Sequence, residues 1–317
     1  MLPVLLIALL SPPADSLRPV SPAHRLAYSY ANDFFFGTDY YFTQGMTFDV
    51  VSPALARLPT RRLLGAGPAG STRYYGAHLR YDGFTPLRIE DAFIRVGDRP
   101  YAAYFYASLY QVCLQPAQGR RLTTALELGY VGPAAGGKFV QTKLHELTHN
   151  PEPRGWDYQI RGDAVLGYRL VCEQRLLTLG RGLELTGTAE ASVGTLYTYA
   201  GTGGQLRIGW FNSFFAALGG AGSGSRTGLR RWQLYAEATL TGRLVGYDAT
   251  LQGGVFNRSS PYTLAAGAIR RVVLHSTGSL VVARANWSFT ATATYVGPEF
   301  TGGRPHRWGV LGVAHEW

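Results

Sequence analysis

The chain has 317 residues and a formal net charge of +10, with only 16% charged residues, 13% aromatic residues and 40 glycines. A composition rich in Gly and Tyr favours an all-β protein. After the N-terminus no apolar run reaches the ~20 residues of a transmembrane helix, which excludes a helical membrane protein. The basic residues are scattered and no nucleic-acid motif accompanies them, so we expect no nucleic-acid partner.

Residues 1–20 begin with a short apolar run, MLPVLLIALL, followed by small residues and prolines. This pattern predicts a secretory signal peptide, with cleavage within residues 14–23. No positively charged segment precedes the run, so the true start of translation is expected further upstream. We expect the remainder, residues 21–317, to form a single domain.

Alternation of apolar and polar residues predicts long strands through most of this domain. Residues 40–50, 232–244 and 281–295 each place apolar side chains on one face and mostly polar side chains on the other. In the first of these, Phe42 belongs to the apolar face and Thr43 to the polar face. Strands longer than the usual ~5–6 residues, with a polar inner face and an apolar outer face, are typical of a transmembrane β-barrel. A soluble all-β domain is the alternative.

Twelve candidate strands follow in chain order, an even number that places both termini at one end of a barrel. The strands are expected over residues 25–36, 40–51, 72–82, 101–114, 121–131, 158–172, 182–194, 198–210, 231–245, 261–275, 279–295 and 306–317. Long connections fall at 52–71, 132–157, 211–230 and 246–260, and the Gly- and Ser-rich stretch 219–228 is expected to be a loop. The sequence therefore predicts a twelve-stranded antiparallel barrel of the outer-membrane type.

The connection 132–157 contains HELTH, residues 145–149, which matches the H-E-x-x-H motif of zinc peptidases. In that motif His145 and His149 would bind zinc from one face of a helix, and Glu146 would activate a water. A helix over 138–148 fits the pattern, but Asn150 and the prolines that follow end it. No further helix is predicted that would supply a third zinc ligand, so we treat the zinc peptidase as a minor alternative.

The segment around HELTH carries a second and larger pattern. It contains a GPxAGG turn at 132–137, Gln141 and His145 four residues apart, and the pair Gly155-Trp156 followed by Gln159. Further pieces stand earlier in the chain: Asn32-Asp33, the run Tyr41, Thr43 and Gly45, and Gly97-Asp98-Arg99-Pro100-Tyr101-Ala102. Together these motifs resemble the lipid A 3-O-deacylase (LpxR) family of outer-membrane barrels. The specific matches lie in residues 28–160, and the C-terminal half matches only as barrel strands.

This resemblance implies a calcium-dependent enzyme in the outer membrane of a Gram-negative bacterium. Such an enzyme removes ester-linked acyl chains from the 3-position of lipid A, so its partners are lipopolysaccharide and the bilayer itself, and we expect a monomer. The active site would lie between the barrel wall and a short helix from an extracellular loop. In this sequence that helix corresponds to residues 137–149.

Roles can be assigned to the matching residues from their chemistry. His145 is the expected general base, because imidazole has an ordinary pKa near neutrality. Asp33 is the expected calcium ligand, and Asn32 would donate to the oxyanion. Since adjacent strand residues point to opposite faces, both can serve one site only where the strand ends or bulges. Gln141 shares a helix face with His145, and Thr43 is expected to face the lumen.

Three arginines are candidates for the phosphates of the substrate. Arg99 could bind a phosphate, or could instead fix the start of its strand. The family pattern has a Lys-Arg pair in the preceding loop, where this chain offers only Arg88 and Arg95. A family carboxylate just beyond the histidine has Glu152 as its loose counterpart, and we assign it as a second metal ligand.

Two further functions stay open at this point. One is a barrel without catalysis, either a passive channel or a structural protein. The other is an ester hydrolase that acts on phospholipid, because the residues that would contact sugar and phosphate cannot be identified from sequence. Convergence of Asn32, Asp33, Thr43, Gln141 and His145 at one place on the wall would favour an enzyme over a channel.

Overall fold

The computed structural model describes residues 20–218 and 229–317. The expected signal peptide, except for Val20, and the expected loop at 219–228 lie outside the described residues. The strands are β1 (Arg25–Asn32), β2 (Tyr41–Val51), β3 (Thr72–Thr85), β4 (Ala102–Gln115), β5 (Arg120–Val131), β6 (Asp163–Leu179), β7 (Leu183–Gly194), β8 (Tyr197–Trp210), β9 (Trp232–Asp248), β10 (Val272–Arg284), β11 (Trp287–Val296) and β12 (His306–Glu316). The α-helices are α1 (Gly137–Thr148) and α2 (Ala249–Gln252), and short 3-10 helices span Asp33–Phe36, Pro53–Arg57, Pro59–Leu64, Pro133–Ala135, Trp156–Tyr158 and Ala266–Ala268.

The twelve strands of the described chain form one closed antiparallel barrel. Each strand pairs with its neighbours in sequence, and β1 pairs with β12 to close the sheet. The predicted fold class and the helix in a loop are therefore confirmed. No helix within residues 20–218 and 229–317 combines the length and the apolar character needed to cross a bilayer.

The two ends of the barrel differ in their connections. The end that carries both termini has three short turns, at 116–119, 180–182 and 285–286, besides two longer connections. The opposite end, which we call the loop end, carries α1, α2 and long connections at 86–101, 132–162 and 249–271. Outer-membrane barrels keep their longer loops outside the cell. The loop end is therefore the extracellular end.

The most regular stretch of the sequence, 281–295, contains a hairpin where one strand was predicted. β10 ends at Arg284, Ala285 adopts a left-handed backbone with φ of 52°, and β11 begins at Trp287. Arg284 pairs with Trp287, so the side-chain phase changes across the turn. The sequence does not reveal this change of phase, because Val281 is apolar although it faces the lumen. It packs there with Phe211 and Tyr235, in a part of the lumen that is apolar.

The lumen is filled by side chains. At the end with the termini, Phe214, Phe215 and Leu218 pack against inward-facing residues of β2, β3 and β4. Further along the lumen, ion pairs join strands that are adjacent or separated by one strand. The distances between the Arg nitrogen and the carboxylate oxygen are 2.6 Å for Arg207–Glu237, 2.7 Å for Arg243–Glu190 and 3.3 Å for Arg169–Glu127. A cavity of about 270 Å³ remains between these pairs and the loop end.

Helix α1 lies on the outer face of the wall. In β4, Tyr104 points into the lumen, where its hydroxyl donates to Asp82. Its neighbour Ala103 therefore points outward, and it contacts the start of α1. A Cβ on Gly137 would lie 2.4 Å from the Trp156 ring and 2.6 Å from the Ala103 Cβ. Glycine at the first position of α1 thus allows the helix to approach the wall this closely.

A β-bulge in β2 redirects the side chains near the loop end. Phe42 pairs with Phe84 and Gln44 pairs with Gly83, so Thr43 is an extra residue between two consecutive partners. Phe42 is only 2% exposed and stacks inside the lumen on Trp308, with ring centroids 4.3 Å apart. The expectation that Phe42 faces lipid was therefore wrong, because strict alternation does not continue through a bulge. Phe48, beyond the bulge, is exposed as predicted.

Substitution of Gly137 by Ala should loosen α1 from the wall. Inserting a methyl group into this contact costs about 1–3 kcal/mol, so we expect amide hydrogen exchange in residues 138–148 to accelerate roughly tenfold. Mass spectrometry of peptides from the folded barrel would measure it. Leu147→Ala is the control, since Leu147 is exposed on the same helix. Unchanged exchange in Gly137→Ala would contradict this packing.

The inward position of Phe42 can be tested by its contribution to stability. Phe42→Ala should lower the free energy of unfolding by about 3–5 kcal/mol, as expected for removal of a buried ring. Phe48→Ala, on the same strand but facing outward, should cost clearly less. Urea titration of the barrel in phospholipid vesicles measures both values. Equal losses would mean that Phe42 faces lipid after all.

Candidate functional site

The first strand ends at the pair Asn32-Asp33. Asn32 is the last residue of β1, and its side-chain oxygen accepts a hydrogen bond from Phe34 N at 2.9 Å, which caps the 3-10 helix that Asp33 begins. Asn32 pairs with Gln44 of β2, whose side chain lies outside the wall, so Asn32 also points outward. Because the strand ends here, both Asn32 and Asp33 can serve one site.

The bulge in β2 brings Thr43 to α1. Gln141 Nε2 donates to Thr43 Oγ1 at 3.3 Å, and Trp156 Nε1 donates to Gln141 Oε1 at 2.7 Å. Both ends of the Gln141 amide are therefore held, which fixes its orientation between the helix and the wall. Thr43 contacts a helix on the outer face, which corrects the expectation that it faces the lumen. The cause is again the extra residue, which shifts the phase of the strand.

His145 lies one turn after Gln141 on the buried face of α1 and is 5% exposed. Its Nδ1 is 2.6 Å from the carbonyl oxygen of Pro151. A carbonyl can only accept a hydrogen bond, so Nδ1 carries the proton and Nε2 presents a lone pair. Nε2 lies 3.7 Å from Asp39 Oδ2. The arrangement is that of an oriented imidazole with a carboxylate beside its basic nitrogen.

Two carboxyl groups, those of Asp33 and Asp39, lie near each other in the turn between β1 and β2, and Asp39 is the one beside His145. Asp33 Oδ2 accepts a hydrogen bond from Tyr40 N at 3.1 Å. Burial, together with the charge of the neighbouring Asp39, raises the pKa of Asp33 to about 9. Burial also raises the pKa of Asp39, while His145 acts in the opposite direction. The described residues bring no Lys or Arg side chain to either carboxyl group, and Asp39 Oδ1 is buried without a hydrogen-bond partner among them.

Such a pair suits a hard cation. Calcium binds carboxylate and carbonyl oxygens, and a bound cation would relieve the repulsion and the burial that raise both pKa values. The turn between β1 and β2 supplies both carboxylates, Asp33 and Asp39. In the part of the chain that the structure describes, no group of three or more His, Cys, Asp or Glu side chains is arranged to hold a metal ion.

The expected substrate arginines lie elsewhere. The Arg99 side chain is fully buried, with Nη1 2.5 Å from Glu299 Oε2 and Nη2 donating to Thr250 Oγ1 at 2.7 Å. Of its two expected roles, the structural one fits this position. Arg95 Nη1 lies 2.5 Å from Asp91 Oδ2, and only Arg88 is exposed among the three arginines.

Glu152 and His149 also lie apart from the site. Glu152 is exposed, and its nearest charged partner is Arg154, at 3.7 Å. His149 follows the last residue of α1, has a left-handed backbone with φ of 57°, and is exposed. His145 is on the buried face of α1 whereas His149 is exposed beyond its end, so the two histidines of HELTH do not form a zinc pair on one helix face. The zinc interpretation was wrong, because the helix ends before its second histidine.

Sequence reasoning missed three residues that shape the site. Asp39 lies in a turn without any motif, and only the tertiary structure brings it to His145. Trp156 was noted as part of a motif but received no role. Gln44 is fully buried, and its Nε2 donates to Tyr81 OH at 3.2 Å. The sequence did contain an indication that Gln44 has a special role. It is a polar residue at a position that alternation assigns to the apolar face.

Comparison with known proteins bears on this fold and site. The family model described as "Outer membrane protein LpxR" matches residues 2–317. Among solved structures, LpxR from Salmonella typhimurium matches with a TM-score of 0.73 and 17% identity, over 92% of this chain and 99% of that chain.

Two more distant barrels are the β domain of the Bordetella autotransporter BrkA and the translocator domain of the autotransporter NalP from Neisseria meningitidis. Their TM-scores are 0.42 and 0.40, and their identities 12% and 11%. The BrkA match covers 92% of this chain and 97% of that chain, and the NalP match 99% and 92%. No curated protein matches the sequence. The family model spans almost the whole chain, so the protein belongs to the LpxR family of outer-membrane proteins of Gram-negative bacteria.

Proposed function

We propose that this barrel is a lipid A 3-O-deacylase, which hydrolyses the ester-linked acyl chain at the 3-position of lipid A with His145 as general base. The observation that carries the proposal is the state of His145. Its Nδ1 proton is bound to the Pro151 carbonyl, so the basic Nε2 faces the space between α1 and the wall. Membership of the LpxR family, which is known for lipid A deacylation, supports the choice of substrate.

The position of the site supports a lipid substrate. Asn32, Gln44 and the buried face of α1 lie on the outside of the wall, near the loop end. A molecule held in the outer leaflet reaches this place without entering the lumen. The lumen is packed with ring side chains and ion pairs, which disfavours the alternative of an open channel.

The proposed reaction uses the residues in the following order. His145 Nε2 removes a proton from water, and the hydroxide oxygen bonds to the ester carbonyl carbon. Asp39, 3.7 Å from Nε2, stabilises the imidazolium that forms. The tetrahedral intermediate collapses, the bond between the carbonyl carbon and the sugar 3-oxygen breaks, and His145 returns its proton to that oxygen. The acyl chain leaves as a fatty acid.

The amide side chains orient the reactants. Gln141 is held by Trp156 and Thr43, so it can fix the position of the water relative to His145. The Asn32 amide lies at the end of β1 on the same outer face and can donate to the developing oxyanion. Arg88, which is exposed in the connection between β3 and β4, is our proposed contact for a lipid A phosphate.

Calcium is the proposed cofactor, held by Asp33 and Asp39. When bound, it would supply a Lewis acid that polarises the ester carbonyl. The raised pKa values of both carboxyl groups, caused mainly by burial, support a cation at this place. Glu152, the other ligand expected from sequence, is exposed and lies next to Arg154, so the structure offers no support for its role.

The two histidines of HELTH provide a matched test. His145→Ala should lower deacylation about 10²–10⁴-fold, the usual effect of losing a general base. His149→Ala should leave the rate near that of the wild type, because His149 is exposed beyond the end of α1. Mass spectrometry of lipid A from cells expressing each barrel measures loss of the 3-linked acyl chain.

Equal loss of deacylation in His149→Ala and His145→Ala would contradict the assignment of His145 alone as the base. Unchanged lipid A with a well-inserted wild-type barrel would contradict the proposed substrate. In that case, release of fatty acid from phospholipid vesicles by the same protein would identify a phospholipid esterase.

The calcium site is tested by removing its charge. Asp33→Asn and Asp39→Asn should each weaken calcium binding by at least tenfold, because each removes one of two carboxylates from a hard-cation site. Isothermal titration of the folded barrel with calcium measures the affinity, and the calcium dependence of deacylation provides a second readout. Glu152→Gln is the control and should titrate like the wild type. Identical titrations of all four proteins would place the cation elsewhere.

A further inference from the structure

The lipid-facing wall carries a groove beside the candidate site. A cavity of about 630 Å³ lies on the outer side of β8 to β12, and Phe35 and Phe36 line the end nearest the site. Both rings belong to the 3-10 helix that directly follows Asn32. The groove and the site are therefore joined by one short turn of the chain.

The register of the strands shows how the groove is built. Asn32 pairs with Gly309, Gly309 with Ala293, Ala293 with Gly278, and Gly278 with Ala238. Paired residues in neighbouring strands share one face of the sheet, so these small residues form an outward row that begins at Asn32. Four consecutive strands thus present almost no side-chain volume along this line.

Larger side chains border the row on both sides. Two residues further toward the termini, the next outward row holds Leu311, Leu280 and Ile208, each about half exposed, with Ala291 and Ala236 between them. Toward the loop end, the neighbouring row begins with Arg307 and its partner Tyr295. The guanidinium carbon of Arg307 lies 5.6 Å from the centroid of the Tyr295 ring. The small residues therefore form the floor of a trough, and these bulky residues form its sides.

The end of the trough nearest Asn32 is covered by Phe35 and is bordered by polar groups. Phe35 packs so closely on Gly309 that a Cβ there would lie 2.8 Å from the Phe35 Cβ. On the other side of Asn32, Gln44 is fully buried, and its Oε1 has no hydrogen-bond partner among the described residues. An unpaired buried acceptor destabilises the folded protein unless a ligand or a water donates a hydrogen bond to it. The row thus leads from an incomplete polar site into an apolar trough.

The length of the trough suits one fatty-acyl chain. Neighbouring strands lie about 4.8 Å apart, so the four steps from Asn32 on β1 to Ala238 on β9 span roughly 19 Å, and Phe35 covers the first of these steps at Gly309. This is the scale of a single extended acyl chain of a membrane lipid. Leu311, Leu280 and Ile208 narrow the trough on every second strand of the next row.

We propose that this trough binds the acyl chain whose ester is cleaved, with its carbonyl at Asn32 and its methyl end near Ala238. The proposal rests on the deacylase function proposed above. It makes Ala293 and Gly278 residues that determine which chain lengths are accepted. A bulky side chain at the middle of the row would shorten the usable trough by about half.

The test compares Ala293→Phe with Ala107→Phe, an identical change at an exposed, outward position of β4 on the far side of the barrel. Each folded barrel is given lipid A species that differ in the length of the 3-linked chain. We expect Ala293→Phe to lower kcat/KM for long chains at least tenfold while short chains remain substrates. Ala107→Phe should keep the chain-length profile of the wild type. The same profile in both variants and the wild type would overturn the trough.

A second measurement separates failure of the trough from failure of the proposed function. Lipid A with a photoreactive diazirine at the end of its 3-linked chain is cross-linked to the wild-type barrel in vesicles. Peptide mapping should place the cross-link in β9 or β10, near Ala238 and Gly278, whether or not hydrolysis occurs. Cross-links spread evenly over all strands would overturn the trough, even if the wild type deacylates lipid A.

Discussion

One extra residue in β2 determines where the chemistry of this barrel can take place. Thr43 has no partner of its own in β3, and the strand changes phase around it. Phe42 is thereby directed into the lumen, where it stacks on Trp308, while Gln44 is directed outward beside Asn32. Without the bulge, Thr43 would point into the barrel and could not accept the hydrogen bond from Gln141, and Phe42 would point outward. The contact between the wall and Gln141 of α1 depends on this one irregularity.

The interior and the exterior divide the polar residues between two tasks. Inside, Arg207 and Arg169 pair with glutamates from neighbouring strands, and Arg243 pairs with a glutamate two strands away. Buried pairs of this kind often contribute little net stability because both charges lose water, but they impose a specific geometry. Outside, the polar groups near His145 are incompletely paired, as the buried oxygens of Asp39 and Gln44 show. Buried atoms without a hydrogen-bond partner also occur inside, at Arg169 Nε and Arg207 Nη1, so the two outer oxygens are distinguished by their position beside the candidate site.

Much of the fold could be predicted from the sequence because barrel strands follow a simple period. The number of strands, most of their positions, the helix over 137–148 and the spacing of Gln141 and His145 followed from pattern and motif. The strand expected over 261–275 was wrong, because 261–271 belong to the connection that precedes β10. The hairpin at Ala285 was missed because apolar residues in the lumen continued the alternation of the outer face. Asp39 and the partner of His145, the Pro151 carbonyl, could not be predicted, since only folding brings these loop atoms together. The motif around Arg99 identified an important residue but could not decide its role. The sequence allowed either an ion pair inside the protein or a contact with a bound phosphate.

The outward position of His145 has a consequence for kinetics. A lipid substrate that lies in the same leaflet arrives by lateral diffusion in two dimensions, and its relevant concentration is a mole fraction of the membrane surface. Such an enzyme is surrounded by its substrate wherever that lipid is a major component of the leaflet. Its turnover is then limited by how often one molecule adopts the correct depth and tilt beside α1. Membrane thickness, lateral packing and divalent ions that cross-link the lipids would therefore control its rate as directly as any residue of the site.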